Sequence, residues 1–175
     1  MVSQTNEQAL EALIEKALTG HYLEEIKANE VREANSVCEE SVAYGTSKHF
    51  TMGFADDFDA EFAMDTRLFW QFLEATQADE LDKLRRNNAV DWKRKILERF
   101  DRLIKKYGIL HLLKKGLSVD DAFFNLMYPA PLASSSKSVV ENFAANIFSV
   151  TRQVRYSLAS PLQEIDMVLF INGIP

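Results

Sequence analysis

The chain has 175 residues, of which 47% are apolar and 26% charged, enough for a globular domain with a substantial core. Net charge is −6, which excludes a uniformly basic nucleic-acid binder, and no apolar run reaches the 18 residues of a membrane span. The single cysteine, Cys38, excludes an internal disulfide framework and fits a reducing cytosol; the opening MVSQTNEQALEALIEK lacks the basic and apolar regions of a signal peptide.

Charge is unevenly spread. Residues 1–82 hold 18 acids and 5 bases, residues 83–106 hold 3 acids and 10 bases, and residues 107–175 balance at 5 and 5. Only the middle segment has the electrostatics to meet phosphate.

In chain order, 5–18 reads as an amphipathic helix, with Thr5 or Asn6 as cap, Leu10, Leu13, Ile14 and Leu18 at helical spacing, and Gly20 as stop. Residues 22–40 are acidic and mixed, part helix and part loop. A short strand is expected within 41–54, and 56–62 is turn-like. Residues 65–86 read as one helix capped by Asp65, with Leu68, Phe69, Phe72 and Leu73 on its apolar stripe. Residues 91–107 read as a second, with Trp92, Ile96, Phe100, Leu103, Ile104 and Tyr107 on one face and basic residues over much of the rest. Gly108 stops it, and another turn or two of helix follows.

Beyond residue 118 the pattern changes. DAFFNLMY (121–128) reads as a strand ended by Pro129 and Pro131, and SVVENFAANI as a short helix. IFSVTRQVRYSL (147–158) alternates. Phe148, Val150, Val154 and Tyr156 lie on one face, and Ser149, Thr151, Gln153 and Arg155 on a polar one. EIDMVLFI (164–171) is apolar on both faces and reads as a buried strand. It runs into Asn172-Gly173, the strongest short signal for a hairpin turn.

Several residues stand out. Asp166 lies in the apolar strand beside Val168 and Phe170; either it is paired, hydrogen-bonded or cation-bound, or it sits near a strand end in water. Arg152 is on the apolar face of its strand; it pairs with a carboxylate such as Asp166, or its stem covers the sheet while its head reaches water. Glu7, Glu11 and Glu15 form a row on the first helix, ordinarily a solvated face, otherwise a source of a carboxylate for a cation site begun by Asp166. Arg152, Gln153 and Arg155, and the basic face around Lys93, Arg94 and Lys95, are candidates to approach DNA phosphates or an acidic partner, although solvated faces commonly look the same. The histidines at 21, 49 and 111 and Cys38 have no zinc-ligand spacing, and neither phosphate-binding glycine motifs nor a nucleophile elbow is present.

NIFSVTRQVRYS followed by IDMVLFINGIP resembles the N-terminal region of the restriction (R) subunit of type I restriction–modification enzymes. In that family an Asn-x-x-x-Val-x-Arg-Gln-x-x-Tyr-Ser stretch precedes an Asp-hydrophobic strand ending Asn-Gly-Leu-Pro. Asn146, Val150, Arg152, Gln153, Tyr156 and Ser157 match the first part. Asp166, Asn172, Gly173 and Pro175 match the second, with Ile174 for the usual Leu. FAMDTRLFWQFLEATQ (62–77), LLKKGLSVDDAFFNLMYPAP (112–131) and the opening helix are also similar, and 22–54 least so.

The resemblance implies a helix-rich α/β (α+β) PD-(D/E)XK nuclease fold, here incomplete, with a mixed sheet built mainly from the C-terminal third. One domain is expected, the N-terminal part of an endonuclease domain. It divides into a first helix and acidic segment (1–57), a helical insertion (58–118) and sheet strands (119–175). Asp166 becomes the metal-binding catalytic Asp, with Glu11 as a possible second Mg²⁺ ligand. Carboxylates hold the hard cation that stabilises charge on phosphate oxygens and activates water, and a Lys adds positive charge there. The family's Glu-x-Lys strand should follow the Asn-Gly turn; the sequence stops at Pro175, so the isolated chain is expected to be inactive. The parent is expected to be a cytoplasmic, prokaryotic enzyme that binds ATP outside this chain. It would cleave double-stranded DNA in complex with methyltransferase and specificity subunits. The alternative is a helical interaction module docking the nuclease to the motor or methyltransferase.

Overall fold

The structure, a computed structural model, describes residues 3–21, 50–87, 89–160 and 163–175, with side chains from residue 7 onward. The acidic stretch 22–40, Cys38, His49 and most of the region expected to hold the first strand lie outside the described residues. Those described form six α-helices and seven strands, arranged in two compact units: residues 1–65 with 147–175, and residues 66–146.

The first unit carries the mixed sheet. Its strands are β1 (Thr51–Met52), β6 (Phe148–Arg155) and β7 (Glu164–Ile171), in the order β1-β6-β7. β1 runs parallel to β6, and β6 pairs antiparallel with β7 from Phe148↔Ile171 to Arg155↔Glu164. The β-branched and aromatic content of β6 suits a pleated, buried position. Helix α1 (Ser3–Thr19) packs on this sheet, and a two-stranded ladder of β2 (Phe58–Asp59) and β3 (Met64–Asp65) completes the unit. Met52, Met64, Val150, Val154, Phe170 and Ile174 are buried here, with the Phe58 and Phe170 rings 6.1 Å apart.

Three expectations change in this unit. Helix α1 begins at Ser3, so Thr5 and Asn6 lie inside it and do not cap it; Gly20, at φ +81°, does end it. The polar side of β6 is solvated only toward its end: Ser149 and Thr151 are buried, whereas Gln153 and Arg155 are exposed. The chain after β1 runs directly over the buried pair. Gly53 donates its N–H to Val150 O at 2.8 Å, so close that a Cβ there would fall 2.0 Å from Thr151 Oγ1. Strand β7 is not buried on both faces either. It ends the sheet among the described residues, and Glu164, Ile165, Asp166 and Leu169 are exposed while Phe170 is buried.

The second unit is helical with one hairpin. Helices α2 (Thr66–Thr76), α3 (Ala78–Asn87), α4 (Trp92–Tyr107), α5 (Ile109–Lys115) and α6 (Lys137–Ala144) accompany the antiparallel pair β4 (Leu117–Val119) and β5 (Ala122–Phe124). Its core gathers Phe69, Phe72, Leu81, Leu84, Ile96, Phe100, Leu112, Leu117 and Phe124, all buried. Gly108 separates α4 from α5 at φ +79°, which suits glycine.

The single helix expected over 65–86 is broken at Gln77. Gln77 N–H closes α2 on Leu73 O, and Gln77 O accepts from Glu80 and Leu81 to open α3. Its side chain pairs with the backbone of Asn125: Nε2 donates to Asn125 O at 2.9 Å, and Asn125 N–H donates to Oε1 at 2.6 Å. Asn146 treats Tyr128 the same way, with Oδ1 accepting from Tyr128 N–H at 2.9 Å and Nδ2 donating to Tyr128 O at 2.7 Å. Two side-chain amides thus satisfy backbone groups at 125 and 128 that a sheet would otherwise have to satisfy. The strand expected over 121–128 therefore shrinks to Ala122–Phe124, outside the main sheet.

Candidate functional site

The β6–β7 hairpin holds most of the residues singled out above. Its distal end is the Asn172-Gly173 turn. Asn172 and Gly173 have φ of +54° and +78°, and Ile171 and Ile174 exchange backbone hydrogen bonds of 2.8 and 2.9 Å across them. Two successive positive φ values define the type I′ geometry that Asn-Gly favours. Asn172 is fully buried and bonds twice to Ile147: its N–H donates to Ile147 O at 2.7 Å, and its Oδ1 accepts from Ile147 N–H at 2.6 Å. Gly173 O accepts from Asp65 N–H at 2.8 Å. The turn is thus held on both sides, and it fixes the register that carries back to Asp166.

Asp166 is exposed on β7, on the same sheet face as Val168 and Phe170. Across the ladder it stands level with Gln153, between the pairs Arg152↔Met167 and Val154↔Ile165. Gln153 has φ +55°, a costly conformation for a residue inside a strand, and the regular pairing is interrupted there. Both side chains are exposed. Arg155, also exposed, is 4.0 Å from Glu164.

Arg152 points to the other face, as its pairing with Met167 dictates. Its Nε donates to Glu11 Oε2 and its Nη1 to Glu15 Oε2, each at 3.3 Å. The Arg152 side chain is 7% exposed, Glu15 1% and Glu11 14%. The structure thus brings Arg152 together with the helix row and not with Asp166, and its head does not reach water. A solvated row on α1 is corrected too. An unpaired buried guanidinium is strongly unfavourable, so Glu11 and Glu15 face the sheet while Leu10, Leu13 and Ile14 are left exposed. The signal in the sequence was the combination: one arginine on an apolar strand face and two glutamates one helical turn apart.

This arrangement bears on metal binding. Glu11 lies on the opposite sheet face from Asp166 and is engaged by Arg152. Among the described residues, no three His, Cys, Asp or Glu side chains are grouped to hold a metal ion. Asp166 is a single carboxylate in an open position, and the described residues do not complete a cation site around it.

The basic residues of α4 lie in the other unit. Lys93 Nζ is 5.0 Å from the centre of the Trp70 ring and 5.3 Å from that of Trp92, and Arg85 lies 4.6 Å over Trp92. Arg94 donates to Glu98 at 2.8 Å and Lys95 to Asp120 at 2.5 Å. Phe123 N–H and Lys83 Nζ both donate to Glu80, the Lys83 bond being the stronger influence, and they hold its carboxyl below its ordinary pKa. No helix among the described residues is long and apolar enough to cross a membrane.

Neither the search of curated proteins nor that of solved structures found a match. The family described as "Type I restriction enzyme R protein N terminus" matches residues 59–175, which include β3, the helical unit and the β6–β7 hairpin. That span covers well over half of the chain, and the chain belongs to this family of type I restriction enzyme R protein N-termini.

Proposed function

We propose that this chain forms part of the nuclease centre of a type I restriction enzyme, with Asp166 as one of the carboxylates that bind Mg²⁺. The observation that carries the reading is the placement of Asp166, exposed on β7 in a register fixed by the buried Asn172 turn. When bound, Mg²⁺ would supply charge stabilisation at the scissile phosphate and an acidified water. Its remaining ligands would come from outside the described residues, and Glu11, tied to Arg152, is better read as structural. The fold would be of the PD-(D/E)XK type. In the parent, cleavage of double-stranded DNA would be coupled to ATP-driven translocation and carried out with methyltransferase and specificity subunits in the prokaryotic cytoplasm. Gln153 and Arg155 share the exposed side of the hairpin with Asp166 and would contact DNA there.

The test is DNA cleavage by the complete enzyme carrying Asp166→Ala. Abolished cleavage supports this reading, and cleavage at the native rate refutes it. A second reading, in which 66–146 docks the nuclease on the motor or methyltransferase, draws on the compactness of that unit and its own buried core. Charge reversal at Lys93, Arg94 and Lys95 would then impair assembly with Asp166 intact.

A further inference from the structure

The helical unit, 66–146, holds 14 bases and 10 acids, a net charge of +4 on a chain of net −6. Its cations are not all alike. Lys83, Arg85, Arg94, Lys95, Lys105 and Lys137 each have a carboxylate partner. At the corner where α4 meets α5 the situation differs. Arg102, Lys106, Lys114 and Lys115 are all exposed, and none is paired with a carboxylate among the described residues.

One of these four, Lys106, adjoins a pair of stacked rings. Lys106 Nζ sits 4.9 Å over the Tyr107 ring, and Tyr107 stacks on His111 at 5.0 Å with planes 25° apart. Both rings are exposed, Tyr107 by 49% although its spacing places it on the apolar face of α4. Arg102 lies one turn before Lys106 on α4, and Lys115 one turn beyond His111 on α5, so cations flank the ring pair on both sides of Gly108. A local role accounts for part of this, since cations in a last helical turn favour the negative end of the helix dipole. It does not account for Arg102 or for the exposed ring stack.

The geometry points to a DNA-backbone contact: Arg102, Lys106, Lys114 and Lys115 bind phosphates of duplex DNA, with the Tyr107–His111 stack joining the adjacent ends of α4 and α5. The partner follows from charge. Four uncompensated cations on a positive unit suit a polyanion, and a duplex carries about one negative charge per 1.7 Å of its axis. The inference rests on reading the chain as part of a DNA-cleaving enzyme. It moves the DNA contact from Lys93 and Arg94, which have ring and carboxylate partners, to the opposite end of the same helix.

The experiment measures binding of a short labelled duplex to the full chain between about 50 and 200 mM salt. The native chain is compared with Arg102→Gln/Lys106→Gln/Lys114→Gln/Lys115→Gln and with the milder Lys114→Gln/Lys115→Gln. Each lost phosphate contact lowers the slope of log affinity against log salt by about 0.9, so the expected falls are about 3.6 and about 1.8. Lys137→Gln, on the same unit but paired with Glu141, leaves the slope unchanged. The inference is overturned if the native chain does not bind duplex, if the double variant lowers the slope by less than about 0.9, or if Lys137→Gln lowers it as much. It is also overturned if polyglutamate of equal charge displaces the duplex, which would assign the surface to an acidic polypeptide. The slope does not involve Asp166, so this result and the cleavage result for Asp166→Ala fail independently.

Discussion

Arg152 and Glu15, 137 residues apart in sequence, meet at 3.3 Å with both side chains buried. The contact joins the N-terminal helix to the middle strand of the mixed sheet, and Glu11 approaches the same guanidinium at the same distance. It sets which face of α1 is inside. It also places these two glutamates on the side of the sheet away from Asp166, so the structural charges and the exposed carboxylate do not compete.

Arg152→Ala removes the cation from beside the buried Glu15 and the partly buried Glu11. Breaking a buried pair from one side costs about 3 to 5 kcal/mol, and a lowered urea midpoint for the whole chain checks it. Replacing the arginine and both glutamates together with apolar residues of similar volume recovers most of that loss.

Gln77→Ala strips the partner from Asn125 N–H and Asn125 O at once. An unsatisfied buried polar group costs about 1 to 3 kcal/mol. The chain remains folded, and amide exchange at Asn125 accelerates more than at Tyr128, whose partner Asn146 is untouched. Equal acceleration at both positions would mean that the segment opens as one piece.

Glu80 ties α3 to β5 through Phe123 N–H, and its pKa in the folded chain is lowered mainly by the hydrogen bond from Lys83. With the folded value below the unfolded one, the unfolded chain takes up the proton first as pH falls. The stabilisation is therefore present above the ordinary carboxylate pKa and is lost on acidification through the folded value. Glu80→Gln flattens that acid limb, measured as the urea midpoint against pH, and leaves the midpoint's dependence near neutrality unchanged.

Much of this architecture is legible in the sequence. Asn172-Gly173 forms the turn its residue types demand, Gly20 and Gly108 stop helices, and β6 spans its expected range to within a few residues. What periodicity does not reveal is side chains acting as backbone. Nothing in the spacing of 65–86 marks Gln77 as a break, because its reason lies at Asn125. The strand pattern of 121–128 likewise gives no hint that amide side chains satisfy its backbone. Charge misleads for a similar reason: the glutamates of α1 read as a wet face until Arg152 is seen across from them. The apolar run of β7 reads as a buried strand, yet burial depends on which strand stands beside it.

The proposed place of Asp166 in the nuclease centre can be checked by following DNA cleavage and ATP hydrolysis on one preparation of complete restriction enzyme carrying Asp166→Ala. Cleavage is expected to be abolished while ATP hydrolysis and subunit assembly stay at native levels. Cleavage at the native rate, with Asp166 replaced, would contradict it.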